Sequence, residues 1–381
     1  MVIHPGGGRM GQIAGLDVGI PDDMLDPGTE WMTAVLRTSG AIDGETAVVE
    51  ITVEPFQVGV GLIGQLGRAT MTYAGGEGPP TVIIKWPIDV PAQRGMGDAL
   101  NAYEREVRYY VDHAEQSPLR VPTIHAAMIT DDKSRCVIVM EDLSSMRQGD
   151  RINGMTWDES VTAVETLARW HAHWHSHPDL ERMAETFYAI QHPVYNVILP
   201  QFMAGGWENC QRYGAEHLTP EVVDFGNRWT ELLPVFQKHF HSDLTLIHAD
   251  WRADNMFIDD AGEIVMIDFQ LTGVGVGAYD LGYFVSQSLE REVRGGRERE
   301  LVDLYTAALA RHGVHRDPEE VWFDFRVSIA WCLIYGVASY AEFEHLPGEG
   351  QFVLDTLLRR SVAGILDVDA IAAVDRLVAD A

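Results

Sequence analysis

The segment His248-Ala-Asp250-Trp-Arg-Ala-Asp-Asn255, followed by Ile267-Asp268-Phe-Gln270, gathers the chain's most reactive side chains. Phosphoryl transfer to an alcohol needs a carboxylate beside the attacking hydroxyl and hard oxygen ligands for Mg2+ bridging the phosphates. An Asp five residues before an Asn puts both on one tight loop facing the same cavity. The turn Asp259-Asp-Ala-Gly262 reads as a hairpin that delivers Asp268 at a strand end. Upstream, Val82-Ile-Ile-Lys85-Trp86 places a lysine directly after three aliphatics. A solvated strand end is the commoner fate of such a lysine. Glu106 on the next helix argues otherwise, because a phosphate-binding cation is held by a helix carboxylate. Glu104 is the alternative partner.

Gly59-Val-Gly61-Leu-Ile-Gly64 is weak evidence alone, since glycines collect in turns. A dinucleotide fingerprint would open a helix. Here the glycines lie between two predicted strands, which lets bare backbone close over a nucleotide triphosphate as in the kinase fold. No Gly-Lys-Ser/Thr follows, so a Walker loop is excluded at this site.

The elements that must position these residues can be read along the chain. After a Gly/Asp/Pro-rich opening, a helix is expected over Glu30–Thr38. Strands rich in β-branched residues follow at Thr46–Glu54, Leu66–Tyr73 and Thr81–Trp86. Helical spacing covers Asp98–Glu115, and two more strands occupy Thr123–Ile129 and Arg135–Glu141. The second part is mostly helical. Thr156-Trp-Asp-Glu159 is a capping-box pattern, and Thr219-Pro220 supplies an N-cap and a first-turn proline. Short apolar pieces at Leu244–Ile247, Met256–Ile258 and Glu263–Ile267 interrupt the helices, which resume at Ala278. The expected fold class is α+β and bilobal. The boundaries expected are a mobile segment at 1–28, a small lobe with a five-stranded antiparallel sheet and one main helix at 29–144, and a larger helical lobe at 145–381.

Composition bounds the partners. The chain has 381 residues, with 28 Lys and Arg against 57 Asp and Glu and a net charge of −29. That excess argues against nucleic acid held through its phosphates and against docking on anionic lipid. The three cysteines, Cys136, Cys210 and Cys332, lie far apart and form neither a metal spacing nor a disulfide framework, which fits a reducing cytosol. The opening MVIHPGGGRMGQ lacks the apolar core of a signal peptide. The apolar run Val327–Ala341 is too short for a bilayer and reads as a buried helix, so no membrane insertion and a cytoplasmic location are expected.

With the glycine turn and Lys85 in order upstream, the spacings around Asp250, Asn255 and Asp268 match a kinase catalytic loop and metal-binding aspartate. The sequence resembles the aminoglycoside phosphotransferase-like kinases of the protein-kinase-like fold, and more narrowly the ecdysteroid-kinase-like small-molecule kinases. The resemblance rests on Val-Ile-Val-Met-Glu-Asp-Leu143, Leu167-Ala-Arg-Trp-His171-Ala, His248-Ala-Asp250 through Asn255, Ile267-Asp268-Phe-Gln270, and Asp280-Leu-Gly-Tyr-Phe284. It implies that Asp250 is the catalytic base and that Asn255 and Asp268 bind Mg2+. It also implies that Gly59, Gly61, Gly64, Lys85 and Glu106 serve ATP, or GTP in its place, as phosphoryl donor. Backbone groups of Glu141 and Leu143, with Met140 before them, would meet the base, and Asp280 would brace the catalytic loop. Ala249 departs from the family's usual glycine.

Only 11 residues separate Asp268 from Asp280 and no Ala-Pro-Glu follows, so there is no room for the peptide platform of a protein kinase. A small hydroxylated molecule is the expected acceptor: aminoglycoside-like, or a hydroxylated lipid, steroid or acyl thioester. Apolar residues of the late helices leave a hydrophobic acceptor as open as a cationic one. A catalytically silent nucleotide-binding scaffold is the alternative, but neither base nor metal ligand is missing. His171, His173, His175 and His177 cannot converge on one metal, because on a helix they divide between two faces.

Overall fold

The computed structural model describes residues 18–56 and 63–380 and divides them into two units. One comprises the described residues up to Met146 together with Val265–Leu271; the other comprises Arg147–Ile264 and the residues from Thr272 on.

The first unit is built on strands β1 (Ala47–Phe56), β2 (Gly64–Ala74), β3 (Thr81–Pro87), β4 (Ile124–Ile129) and β5 (Cys136–Glu141). They form one five-stranded antiparallel sheet in the order β1-β2-β3-β5-β4. Helix α1 (Thr29–Thr38) buries Trp31, Met32, Val35 and Leu36 against Val48, Met71, Val82, Ile84, Val137 and Val139 of the sheet. Because side chains alternate along a strand, Val82 and Ile84 face this core while Lys85 points to the other face. Helices α2 (Pro91–Ala99) and α3 (Ala102–Arg108) follow, and α3 runs into a π-helical turn at Tyr109–His113. The single helix expected over 98–115 is therefore broken. The break lies at Asn101, whose φ is 54° and whose amide donates to Glu104 Oε2 at 2.8 Å. Asn is among the few residues that visit this left-handed conformation readily.

In the second unit, a two-residue strand β6 (Arg147–Gln148) leads to helices α4 (Trp157–Trp174), α5 (Leu180–Met183), α6 (Tyr195–Tyr213) and α7 (Pro220–His239). The Thr156–Glu159 capping box forms, and Thr219 caps α7 by accepting from the Val222 N–H. Strands β7 (Leu244–Ile247), β8 (Met256–Ile258) and β9 (Ile264–Met266) come next, then β10 (Gly273–Val276). β10 pairs antiparallel with β7, and β6 with β8. Helices α8 (Ala278–Ser288), α9 (Arg291–Arg294), α10 (Glu298–Arg311), α11 (Pro318–Trp331), α12 (Leu333–Ser339), α13 (Gly348–Asp367) and α14 (Ala370–Ala379) complete the unit.

All 11 residues of α8 are buried, and it packs against α11, α13 and α4. Trp331 is core, with its ring centroid 5.2 Å from Trp229 and 5.4 Å from Phe240. The helical run Pro318–His345 is longer than the apolar stretch read from sequence. It is long and apolar enough to cross a bilayer, but 72% of its most apolar window is buried against the protein, as a core helix would be.

Candidate active site

In the first unit, the Lys85 ammonium sits between two carboxylates. Its Nζ lies 2.8 Å from Glu106 Oε1 and 2.9 Å from Asp268 Oδ1. Glu104 instead turns to Lys133 at 2.7 Å, which settles which glutamate meets the lysine. Burial opposes the charge on Lys85, but Asp268 and Glu106 hold it protonated above the usual lysine range. Burial pushes the Glu106 carboxyl upward, Lys85 pulls it back, and Asp268 raises it again. One ammonium shared by two carboxylates leaves the cluster short of positive charge. Lys85 and Glu106 are nearly enclosed, whereas the Asp268 side chain is 27% exposed.

The strand pairing explains how Lys85 reaches this position. Lys85 lies opposite Leu66 on β2, and a Cβ at Gly64 would come within 3.1 Å of Lys85 Cε. Gly64 thus gives the lysine stem its room; Gly59 and Gly61 lie outside the described residues. Asp268 is fixed by its neighbours. Phe269 stacks on Tyr109 at 3.7 Å between centroids, and Arg105 donates to the Leu271 carbonyl at 3.2 Å. Asp268 itself has φ of 69°, a strained conformation of the kind found at functional sites.

At the end of β5, Met140 pairs across the sheet with Ile83, and Glu141 with Val82. The Glu141 N–H donates to the Thr123 carbonyl, and its side chain accepts from the Thr123 N–H, both at 2.9 Å. Glu141 can therefore offer a ligand its carbonyl but not its N–H. The Leu143 N–H has no partner among the described residues, while its carbonyl accepts from Met146.

In the second unit, the Asp250 carboxylate is held from three sides. The Tyr283 hydroxyl donates to Oδ1 at 2.7 Å, and the Asn255 amide donates to Oδ2 at 2.9 Å. Arg252 Nε lies 2.9 Å from Oδ1. The same Asn255 amide also donates to the Asp250 carbonyl at 2.9 Å, so its NH2 is spent on Asp250 and its carbonyl oxygen is turned away for other use. Burial, and then the adjacent Asp250 charge, raise the Tyr283 hydroxyl well above the usual tyrosine range, so it stays a donor.

Asp280 holds the loop before Asp250. Its oxygens accept from the His248 N–H at 2.7 Å and the Ala249 N–H at 2.8 Å. His171 Nε2 lies 3.1 Å from Asp280, and its Nδ1 lies 2.8 Å from the Tyr305 hydroxyl. His171 is thus a buried structural histidine, and His175 turns to Asp243 at 2.7 Å. Ala249 has φ of 60°, a conformation that favours glycine.

Each unit therefore builds one cluster: a lysine with two carboxylates in the first, and an anchored aspartate with an asparagine carbonyl in the second. Residues 61–315 match the family described as ecdysteroid kinase-like. The chain belongs to that family. It is a small-molecule kinase, a phosphotransferase with an alcohol group as acceptor. The fold is also that of a microcompartment-associated aminopropanol kinase, at 16% identity and a TM-score of 0.53 over 85% of this chain and 94% of that one. An ethanolamine kinase from Plasmodium vivax aligns at 10% identity and a TM-score of 0.50, over 90% and 89%. No curated protein matches the chain in sequence.

Within this family's frame, sequence reasoning gave no role to Tyr283, Arg252, Asp254 or Arg151. The first had a legible signal: Asp280 and Tyr283 are three apart on a helix and share a face. Arg252 stood inside the catalytic-loop motif, two residues after Asp250. Arg151 carried no signal, because its place beside Asp254 arises from folding of a distant segment.

Proposed function

We propose that the chain transfers the γ-phosphoryl group of ATP, with Mg2+, to a hydroxyl of a small organic molecule. The observation that carries this reading is the Lys85 ammonium bound at once by Glu106 and Asp268. A cation so held suits the donor's phosphates. In the first unit, the shortage of positive charge around Asp268 and its partly exposed carboxylate suit Mg2+, which prefers hard oxygen ligands; in the second unit, the Asn255 carbonyl is an oxygen of the same kind. Asp268 and Asn255 are the residues that would hold Mg2+, which would neutralise phosphate charge.

The protein's own groups do the rest. The Glu141 carbonyl and Leu143 N–H offer one acceptor and one donor to a purine edge, which supports ATP. Asp250, fixed by Tyr283 and Asn255, orients the acceptor hydroxyl and takes its proton. Asp280 and His171 keep that carboxylate in place. Family membership and likeness in fold to two amino-alcohol kinases support a small hydroxylated acceptor.

The test is a pair of variants. Asp250→Asn should lower ADP formation by about 100-fold or more while Mg-ATP still binds in calorimetry. Asp268→Asn should instead weaken Mg-ATP binding itself by about tenfold or more. Full turnover by Asp250→Asn, or unchanged Mg-ATP affinity in Asp268→Asn, would refute the assignment. A wild-type protein that binds Mg-ATP yet phosphorylates no alcohol would point to the scaffold reading.

A further inference from the structure

Beside Asp250 the second unit holds two guanidinium groups: Arg252, which also braces the Asp250 carboxylate, and Arg151, which the proposed chemistry does not use. Arg252 Nη1 lies 3.3 Å from Asp254 Oδ2, and Arg151 Nη1 lies 3.9 Å from the same oxygen. The two arginines therefore converge on one carboxylate oxygen, four residues from the proposed base. Their side chains are mostly buried, at 23% exposure for Arg151 and 18% for Arg252.

Two polar atoms of this group are buried without a hydrogen-bond partner among the described residues: Arg151 Nε and Asp254 Oδ1. Buried unsatisfied groups are rare and costly, and each calls for an explanation. Burial, and then the nearby charge of Arg252, depress the Arg151 guanidinium, against the opposing pull of Asp254 and Asp250.

The position of Arg151 is fixed rather than incidental. Arg360 donates to the Arg151 carbonyl at 2.7 Å and also reaches the Ile152 carbonyl. Gln148 donates to the Asp254 carbonyl at 2.7 Å, and a Cβ at Gly149 would lie 2.2 Å from the Ala253 carbonyl oxygen. The 148–152 segment is thus pressed onto the catalytic loop. Asp250 and Asp254 balance Arg151 and Arg252, leaving no spare carboxylate in this cluster for a polycation.

We propose that Arg151 and Arg252 form an anion-binding subsite for the acceptor, which is a hydroxy compound carrying a carboxylate or phosphate group. This inference rests on the kinase reading above. The planar arginine fork grips such a group through paired hydrogen bonds. The same two arginines disfavour an acceptor whose hydroxyl lies beside an ammonium.

The experiment uses the full chain loaded with Mg2+ and AMP-PNP, titrated calorimetrically with three matched probes: 3-hydroxybutyrate, its methyl ester, and 4-amino-2-butanol. The acid should bind about tenfold or more tighter than the ester, and the amine weaker still. Arg151→Gln should bring the acid down to the affinity of the ester, with Arg151→Lys between them, because lysine keeps the charge and loses the fork. Thermal melting of each variant checks that it has folded. Equal or tighter binding of ester or amine overturns the inference, as does no saturable binding of the acid. If Arg151→Gln loses AMP-PNP affinity relative to ADP but keeps its preference for the acid, the arginine serves the donor's γ-phosphate and the inference also falls. Failure to bind Mg-AMP-PNP at all would bring down the kinase reading itself, which is a separate result.

Discussion

Replacing Asp280 with asparagine tests how the catalytic loop is held. The Asp280 side chain is fully buried and accepts from the His248 and Ala249 N–H groups at 2.7 and 2.8 Å, with His171 Nε2 at 3.1 Å. Asparagine has nearly the same shape but turns one acceptor oxygen into a donor. Its carbonyl would satisfy His248 and His171, leaving its NH2 against the Ala249 N–H. One charge-assisted bond is then lost, at about 1.5–3 kcal/mol, and two donors face each other in a dry site. Adding about 1–3 kcal/mol for a donor left unsatisfied in a buried site, the total loss of stability should be about 3–5 kcal/mol.

The effect on rate comes through Ala249. Its φ of 60° costs an alanine about 1–2 kcal/mol, which the Asp280 bond now opposes. Without that bond the residue relaxes and carries Asp250 with it. A displacement of about 1 Å costs roughly 100-fold in turnover. Ala249→Gly removes the strain but adds chain entropy to the unfolded state, for a net gain of about 0.5–1 kcal/mol. The double variant should recover several-fold activity over Asp280→Asn alone. The assays are urea unfolding and coupled ADP release. Turnover of Asp280→Asn within about threefold of wild type would refute the placement argument, and a destabilised Ala249→Gly would refute the strain argument.

Tyr283→Phe keeps the ring and deletes the donor to Asp250 Oδ1, so kcat should fall about 10- to 100-fold with little change in the KM for ATP; a KM effect larger than the kcat effect would sink the positioning role. Gly206→Ala in α6 would place a Cβ 1.8 Å from the Val337 carbonyl oxygen of α12, so stability should drop by about 2 kcal/mol or more despite alanine's better helix propensity; an unchanged urea midpoint would show that the helices part without cost.

The sheet was legible because each of its strands is locally β-branched and bounded by turns, and the loop proposed as catalytic could be singled out because its polar residues fall within eight consecutive positions. What escaped depends on distance in sequence. The break at Asn101 is an exception: it is local, set by a left-handed residue and its bond to Glu104, but helical spacing on either side hides it. The Gly273-Val-Gly-Val stretch reads poorly as a strand, yet it pairs with Leu244–Ile247 because glycine admits close backbone approach. Arg151 became a neighbour of Asp254 through long-range contacts: the bond from Gln148 to the Asp254 carbonyl and the clamp from Arg360, more than two hundred residues later.

Helix α8 shows why Asp250, the proposed base, is so well fixed. Asp280 fastens the loop backbone ahead of Asp250, and Tyr283, one turn on, fastens the Asp250 carboxylate itself. Both project from a helix whose 11 residues are all buried. A buried helix cannot shift without repacking its whole surroundings, because protein interiors are close-packed. Backbone and side chain of the reacting loop are thus referred to one rigid element. For phosphoryl transfer, in which the protein contributes mainly position and charge, that is where structural stability is converted into rate.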